Sequence, residues 1–123
     1  MLTYNDAYVL RAESKMLIKD YFGAIKDIQQ FHFLSKDSTA FSCYIYANSA
    51  QNTGKNKIAT KYYNAAIKKN DDISKEGLIL CYEHRGVLLF NDGLKEKGCL
   101  DWSSALELGS ENALKYITDY CNK

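Results

Sequence analysis

The side chains best suited to nucleophilic or metal chemistry are two histidines, His32 and His84, and four cysteines, Cys43, Cys81, Cys99 and Cys121. Cys81 and His84 stand three apart, so on a helix they would face one ligand. A metal would need two further ligands, and a cysteine nucleophile would need an orienting partner. The plainer reading is a core thiol beside a histidine at the edge of a groove. No glycine-rich phosphate loop, GxSxG or HExxH motif occurs. The expectation is therefore no catalytic residue, no metal and no cofactor. The cysteines form no CxxC pair, which argues against zinc and thioredoxin-type chemistry. They read as small buried thiols, with a Cys99–Cys121 disulfide as the alternative.

A second constellation is Gly54–Asn70, GKNKIATKYYNAAIKKN. It holds Lys55, Lys57, Lys61, Lys68 and Lys69 with no acid, interleaved with Tyr62 and Tyr63. That mixture could follow a nucleic-acid backbone. The competing reading is a solvated helix face with Tyr63 turned inward. A net charge of +1 over 123 residues favours the latter.

The elements that would carry these residues are all helical. Residues 5–19 show helical spacing at Ala7, Leu10, Ser14 and Leu17, with Asn5 placed to cap. Residues 21–33 put Ala24, Ile25, Ile28 and Phe31 on one face. Ser38 or Asp37 can cap a third helix that stops at Asn52-Thr53-Gly54, with Gly54 as the left-handed residue. A fourth spans Lys55 to about Lys69, and a fifth runs from about Ser74 to Asn91. A sixth covers Leu94–Leu108 and a seventh Glu111–Cys121. The absence of proline removes the commonest helix breaker. No run approaches the roughly 18 apolar residues of a membrane span, and the Met1–Asp6 start lacks a basic, apolar leader. The expectation from these absences is a cytoplasmic chain without a membrane partner, with export behind a removed leader as the alternative.

Small residues recur at a fixed interval. Ala12, Ala24 and Phe31 are spaced 12 then 7, as are Ala47, Ala59 and Ala66, and Gly86, Gly98 and Ala105. With Tyr82, Arg85-Gly86, Leu89 and Trp102, the last set resembles a tetratricopeptide repeat. DYFGAI, at residues 20–25, is similar to the turn between that family's two helices. Arg85 departs from the family's Leu, Ser110 from its Pro, and Phe31 from its small residue. The first two units are offset by 35 and the next by 39, against the usual ~34. Extra residues therefore sit near 71–75, in a longer loop or an extended fifth helix.

The resemblance implies an all-α fold: one domain over 1–123, an α-solenoid of three repeats (about 5–37, 38–72 and 74–109) with a capping helix at 111–121, wound right-handed. GCLDWSSALELG followed by ALKYITDYC also resembles the end of small bacterial members, which implies a bacterial source. The function implied is a non-catalytic protein–protein interaction scaffold that holds a peptide or a partner's helix in a concave groove. Carried over residue by residue, the groove would present Val9, Glu13 and Met16 from the first helix. Phe41, Tyr44, Asn48 and Gln51 would come from the third. Leu80, Glu83, Val87 and Phe90 would come from the fifth, with His84 at the edge. The family's cationic clamp for chaperone carboxylates has no counterpart, because the matching places hold Val9, Glu13, Ile45, Leu80 and His84. Self-association of the chain, and nucleic-acid binding through the lysine segment, remain the alternatives.

Overall fold

The computed structural model describes residues 3–122; Met1 and Leu2, part of the leader reading, lie outside them. Among the described residues every regular element is helical. They are α1 (Tyr4–Leu17), α2 (Tyr21–Ser35), α3 (Ala40–Asn52), α4 (Asn56–Lys69), α5 (Lys75–Asn91), α6 (Lys95–Glu107) and α7 (Glu111–Tyr116), followed by a π-helical turn (Ile117–Cys121). The backbone divides into two compact units, Met1–Asp72 and Ile73–Lys123. The boundary falls within the extra residues expected near 71–75. Those residues are partly absorbed by α5, which at 17 residues exceeds α1 at 14 and α3 at 13.

In unit 1, α1 packs on α2, α2 on α3 and α3 on α4, and α1 also touches α3. The core gathers Ala12, Met16, Ala24, Ile28 and Ile45, with Val9, Tyr21, Phe41, Tyr44 and Tyr46 packed around it. Alanines at 12, 24, 40, 47, 50, 59 and 66 are fully buried. A methyl is the largest group that the closest helix approaches admit there. Local hydrogen bonds start the helices. Thr3 and Asp6 form a reciprocal capping box on α1, so the cap lies two residues ahead of Asn5. Thr39 and Ser42 do the same for α3, in place of Ser38 or Asp37. Asp71 and Asp72 add carboxylates on the amides of Ala40 and Phe41, each at 2.8 Å, where the positive end of α3 favours negative charge.

In unit 2, α5 packs on α6, and α7 with its π-helical turn packs on α6. Trp102, Ala105 and Ala113 form the core, with Ile79, Tyr82, Val87, Phe90, Tyr116 and Ile117 against it. Gly86 and Gly98 mark the closest approach of α5 and α6: a Cβ on Gly98 would lie 2.8 Å from the Gly86 carbonyl oxygen.

Candidate functional site

Unit 1 gathers six of the sequence-assigned groove residues on α1 and α3. Val9, Phe41 and Tyr44 are half-buried and pack against one core cluster. The Phe41 and Tyr44 rings stack at 6.4 Å and 23°. One turn further along each helix stand Glu13 and Asn48, both half-exposed. Asn48 accepts from Asn52 Nδ2 through its main-chain oxygen at 2.8 Å and its Oδ1 at 3.3 Å. Gln51 is more committed, because its Oε1 accepts from the Tyr63 hydroxyl at 2.7 Å. Tyr63 is fully buried, so this bond gives its hydroxyl an acceptor inside the core. Met16, also assigned to the groove, is a core residue at 8% exposure.

Unit 2 places its assigned residues differently. Glu83 is 7% exposed and accepts a hydrogen bond from the Ser110 hydroxyl, while its main-chain oxygen accepts from Trp102 Nε1 at 3.2 Å. The same Ser110 oxygen caps α7 by accepting from the Ala113 amide at 3.0 Å. Glu83 therefore links α5, α6 and the start of α7 inside unit 2. Val87 and Phe90 pack on Trp102, and the Phe90 ring stands 5.4 Å from the indole. The groove assignment of Glu83, Val87 and Phe90 thus meets side chains already engaged within the unit. Helical spacing cannot separate these two uses, because a face toward a partner and a face toward the next helix have the same period. His84 is half-buried, and burial moves its imidazole below the ordinary pKa.

The cysteines divide. Cys43 and Cys81 are buried and form no disulfide, as core thiols should, and burial pushes the Cys43 thiol up. Cys99 and Cys121 are joined in a disulfide, with Cα atoms 6.0 Å apart. That corrects the thiol reading for this pair. The physical reason is that the π-helical turn folds back onto α6 and brings Cys121 to Cys99. No group of three metal-ligating side chains occurs among the described residues.

The lysine segment forms the outer face of α4. Lys55, Lys57, Lys61, Lys68 and Lys69 are exposed, and Tyr63 points inward. Lys61 lies over the Tyr62 ring at 5.7 Å and Lys69 approaches Asp37 at 3.6 Å.

Two arrangements escaped sequence reading. Arg11 grips Asp27 through Nε (2.8 Å) and Nη2 (2.6 Å), and Arg85 grips Asp101 in the same way (2.7 and 2.6 Å). Both pairs are 16 residues apart at matching places in their units, and that repetition was the available signal. The other is a ring stack of His32, Tyr46 and Tyr62, with His32 Nε2 at 2.8 Å from Ser42 Oγ. Burial depresses the His32 pKa, aided by the charge of Lys69 and opposed by that of Asp37. No helix of the described residues is long and apolar enough to cross a membrane. Compared with known proteins, the chain matches no family model and no curated protein.

Proposed function

We propose that this chain is a non-catalytic protein-interaction module of the tetratricopeptide type, stacked as a right-handed α-solenoid. In this reading it holds a peptide or a partner's helix against the face where α1 meets α3. The observation that carries it is the Phe41–Tyr44 stack beside Val9, with Glu13 and Asn48 one turn on. Half-buried rings held by a core supply contact area at little conformational cost, and the polar pair supplies orientation. The threefold small-residue spacing supports the repeat assignment. The Cys99–Cys121 disulfide supports an oxidising compartment as the place of action, rather than the cytoplasm.

The test is selection of displayed peptides against the chain. Affinities are then measured for wild type and a Glu13→Ala, Tyr44→Ala, Asn48→Ala variant whose helicity is checked by circular dichroism. The expected loss is tenfold or more, in line with roughly 1–2 kcal/mol for an aromatic anchor. Equal affinity in a folded variant would sink this site.

A further inference from the structure

One helix–turn–helix corner joins the two helices of each hairpin, and it recurs between α6 and α7, where the Ser110 amide donates to Ala105 O at 3.0 Å after Gly109 at φ 107°. The Asp20 amide donates to Lys15 O at 2.7 Å, the Lys55 amide to Ala50 O at 2.9 Å and the Leu94 amide to Leu89 O at 2.9 Å. The residue before each amide is left-handed: Lys19 at φ 67°, Gly54 at 82° and Gly93 at 86°. With the backbone held constant, the side chains can be compared directly. The second and third corners carry polar residues at the matching positions, Asn52, Thr53 and Lys57 in one, and Asn91, Asp92 and Glu96 in the other. The first corner carries Leu17, Ile18 and Phe22, which are 72%, 76% and 68% exposed. Folding does not require them, since the corner closes twice with polar residues at these three positions. Large apolar groups left together in water at a site of free choice point to a binding surface.

Successive helices reverse direction, so the α1–α2 and α3–α4 corners share one end of unit 1. Ile58, 40% exposed, is a further apolar side chain at this end. Lys19, Lys55 and Lys57 are exposed around it, and none of the three enters an ion pair among the described residues. In residues 15–24 and 50–59 the sole carboxylate is Asp20, and its Oδ1 accepts from the Gly23 amide to cap α2. This end is therefore basic as well as apolar.

We propose that this end of unit 1 docks on an anionic bilayer surface. Leu17, Ile18, Phe22 and Ile58 enter the headgroup boundary, while Lys19, Lys55 and Lys57 meet the anionic headgroups. Charge complementarity favours this occupant, and so does area. Leu17, Ile18 and Phe22 offer on the order of 400 Å², half of the ~800 Å² that each partner of a stable dimer buries. These residues are separate from those of the α1–α3 face.

The test is sedimentation of the disulfide-intact chain with vesicles of about three parts phosphatidylserine to seven phosphatidylcholine, and with phosphatidylcholine alone. Wild type is expected to sediment with the anionic vesicles, less so as salt rises, and weakly with the neutral ones. Lys19→Gln, Lys55→Gln, Lys57→Gln should weaken partitioning about a hundredfold, from roughly fivefold per lysine. Leu17→Asn, Ile18→Thr, Phe22→Gln should weaken it at least tenfold with an unchanged circular dichroism spectrum, because the neighbouring corner already folds with Asn and Thr. Failure of wild type to sediment with anionic vesicles overturns the proposal, as does wild-type partitioning by either folded variant. A lipid-free mass that rises with concentration and is abolished by the apolar variant assigns the surface to a second copy, which also overturns it.

Discussion

Tyr46 stacks on Tyr62 with ring centroids 4.1 Å apart and planes 15° apart, at the place where the other two hairpins hold an Arg–Asp fork. Arg11–Asp27, Tyr46–Tyr62 and Arg85–Asp101 are each 16 residues apart and each joins the first helix of a hairpin to its second. In the forks the guanidinium also lies over a tyrosine three residues earlier, Tyr8 at 5.6 Å and Tyr82 at 5.7 Å. One inter-helix contact is thus made with two chemistries, a bidentate ion pair or an aromatic stack.

The two forks should differ in worth. Arg85 and Asp101 are 20% and 8% exposed at the side chain, so Arg85→Ala leaves a buried carboxylate without its cation. The expected cost is about 3 kcal/mol in urea unfolding. Arg11 is 59% exposed and Lys15 also reaches Asp27 at 3.2 Å, so Arg11→Ala should cost about 1 kcal/mol. Equal losses would mean that burial does not set the energy of the fork.

Gly98→Ala should be poorly tolerated. The new methyl would meet Gly86 O at 2.8 Å and Phe90 N at 3.0 Å, both backbone atoms that no rotamer change can move. Overpacking of this kind costs about 2–3 kcal/mol. The matching places in the other hairpins already hold Ala24 and Ala59, both fully buried, so a thermal midpoint unchanged by Gly98→Ala would contradict the close α5–α6 approach.

Acidification should act first through the histidines. His32 and His84 both have pKa values lowered by burial below 6.5. Between that value and the lower folded one, the unfolded chain binds more protons. Stability is therefore full above about pH 6.5 and falls as pH drops through this window. Asp27 adds a second loss. Burial alone would raise its pKa, but Arg11 and Lys15 hold it below 3.8, so its contribution disappears as pH falls under that value. Urea midpoints at about pH 7.5 and 5.5 test the first limb: His32→Gln, His84→Gln should flatten it. A wild-type midpoint that rises on acidification would refute the assignment.

Reduction should loosen the end of unit 2. The disulfide closes a 22-residue separation and anchors the π-helical turn whose Tyr120 ring lies 6.2 Å from Trp102. Cys99→Ser, Cys121→Ser should lower stability by about 3 kcal/mol. Trp102, the sole tryptophan and 2% exposed, should shift its emission to the red as the terminal turn frees. An unchanged emission after complete reduction would show that packing by Tyr116 and Tyr120 holds the turn without the bond.

Local chemistry carried much of the architecture. Helical spacing placed seven helical segments, Ser74 starts α5 as its position suggests, and Gly54 takes the left-handed φ that ends the α3 corner. The 12-then-7 interval of Ala47, Ala59 and Ala66 marks where methyls alone fit between helices, and all three are fully buried. Such features depend on neighbours a few residues away, so they can be read along a chain.

What the sequence by itself determined, then, is an all-helical chain of paired helices, their approximate ends and the small-residue seams between them. Tertiary structure alone decided that Glu83 turns to Ser110, that Phe90 packs on Trp102, that Cys99 meets Cys121 and that Arg85 closes on Asp101. It also decided that Leu17, Ile18 and Phe22 are left in solvent. Each of these depends on which face of one helix meets which face of another. A helix repeats every ~3.6 residues whatever covers it, so periodicity shows that a face is special without showing what it faces.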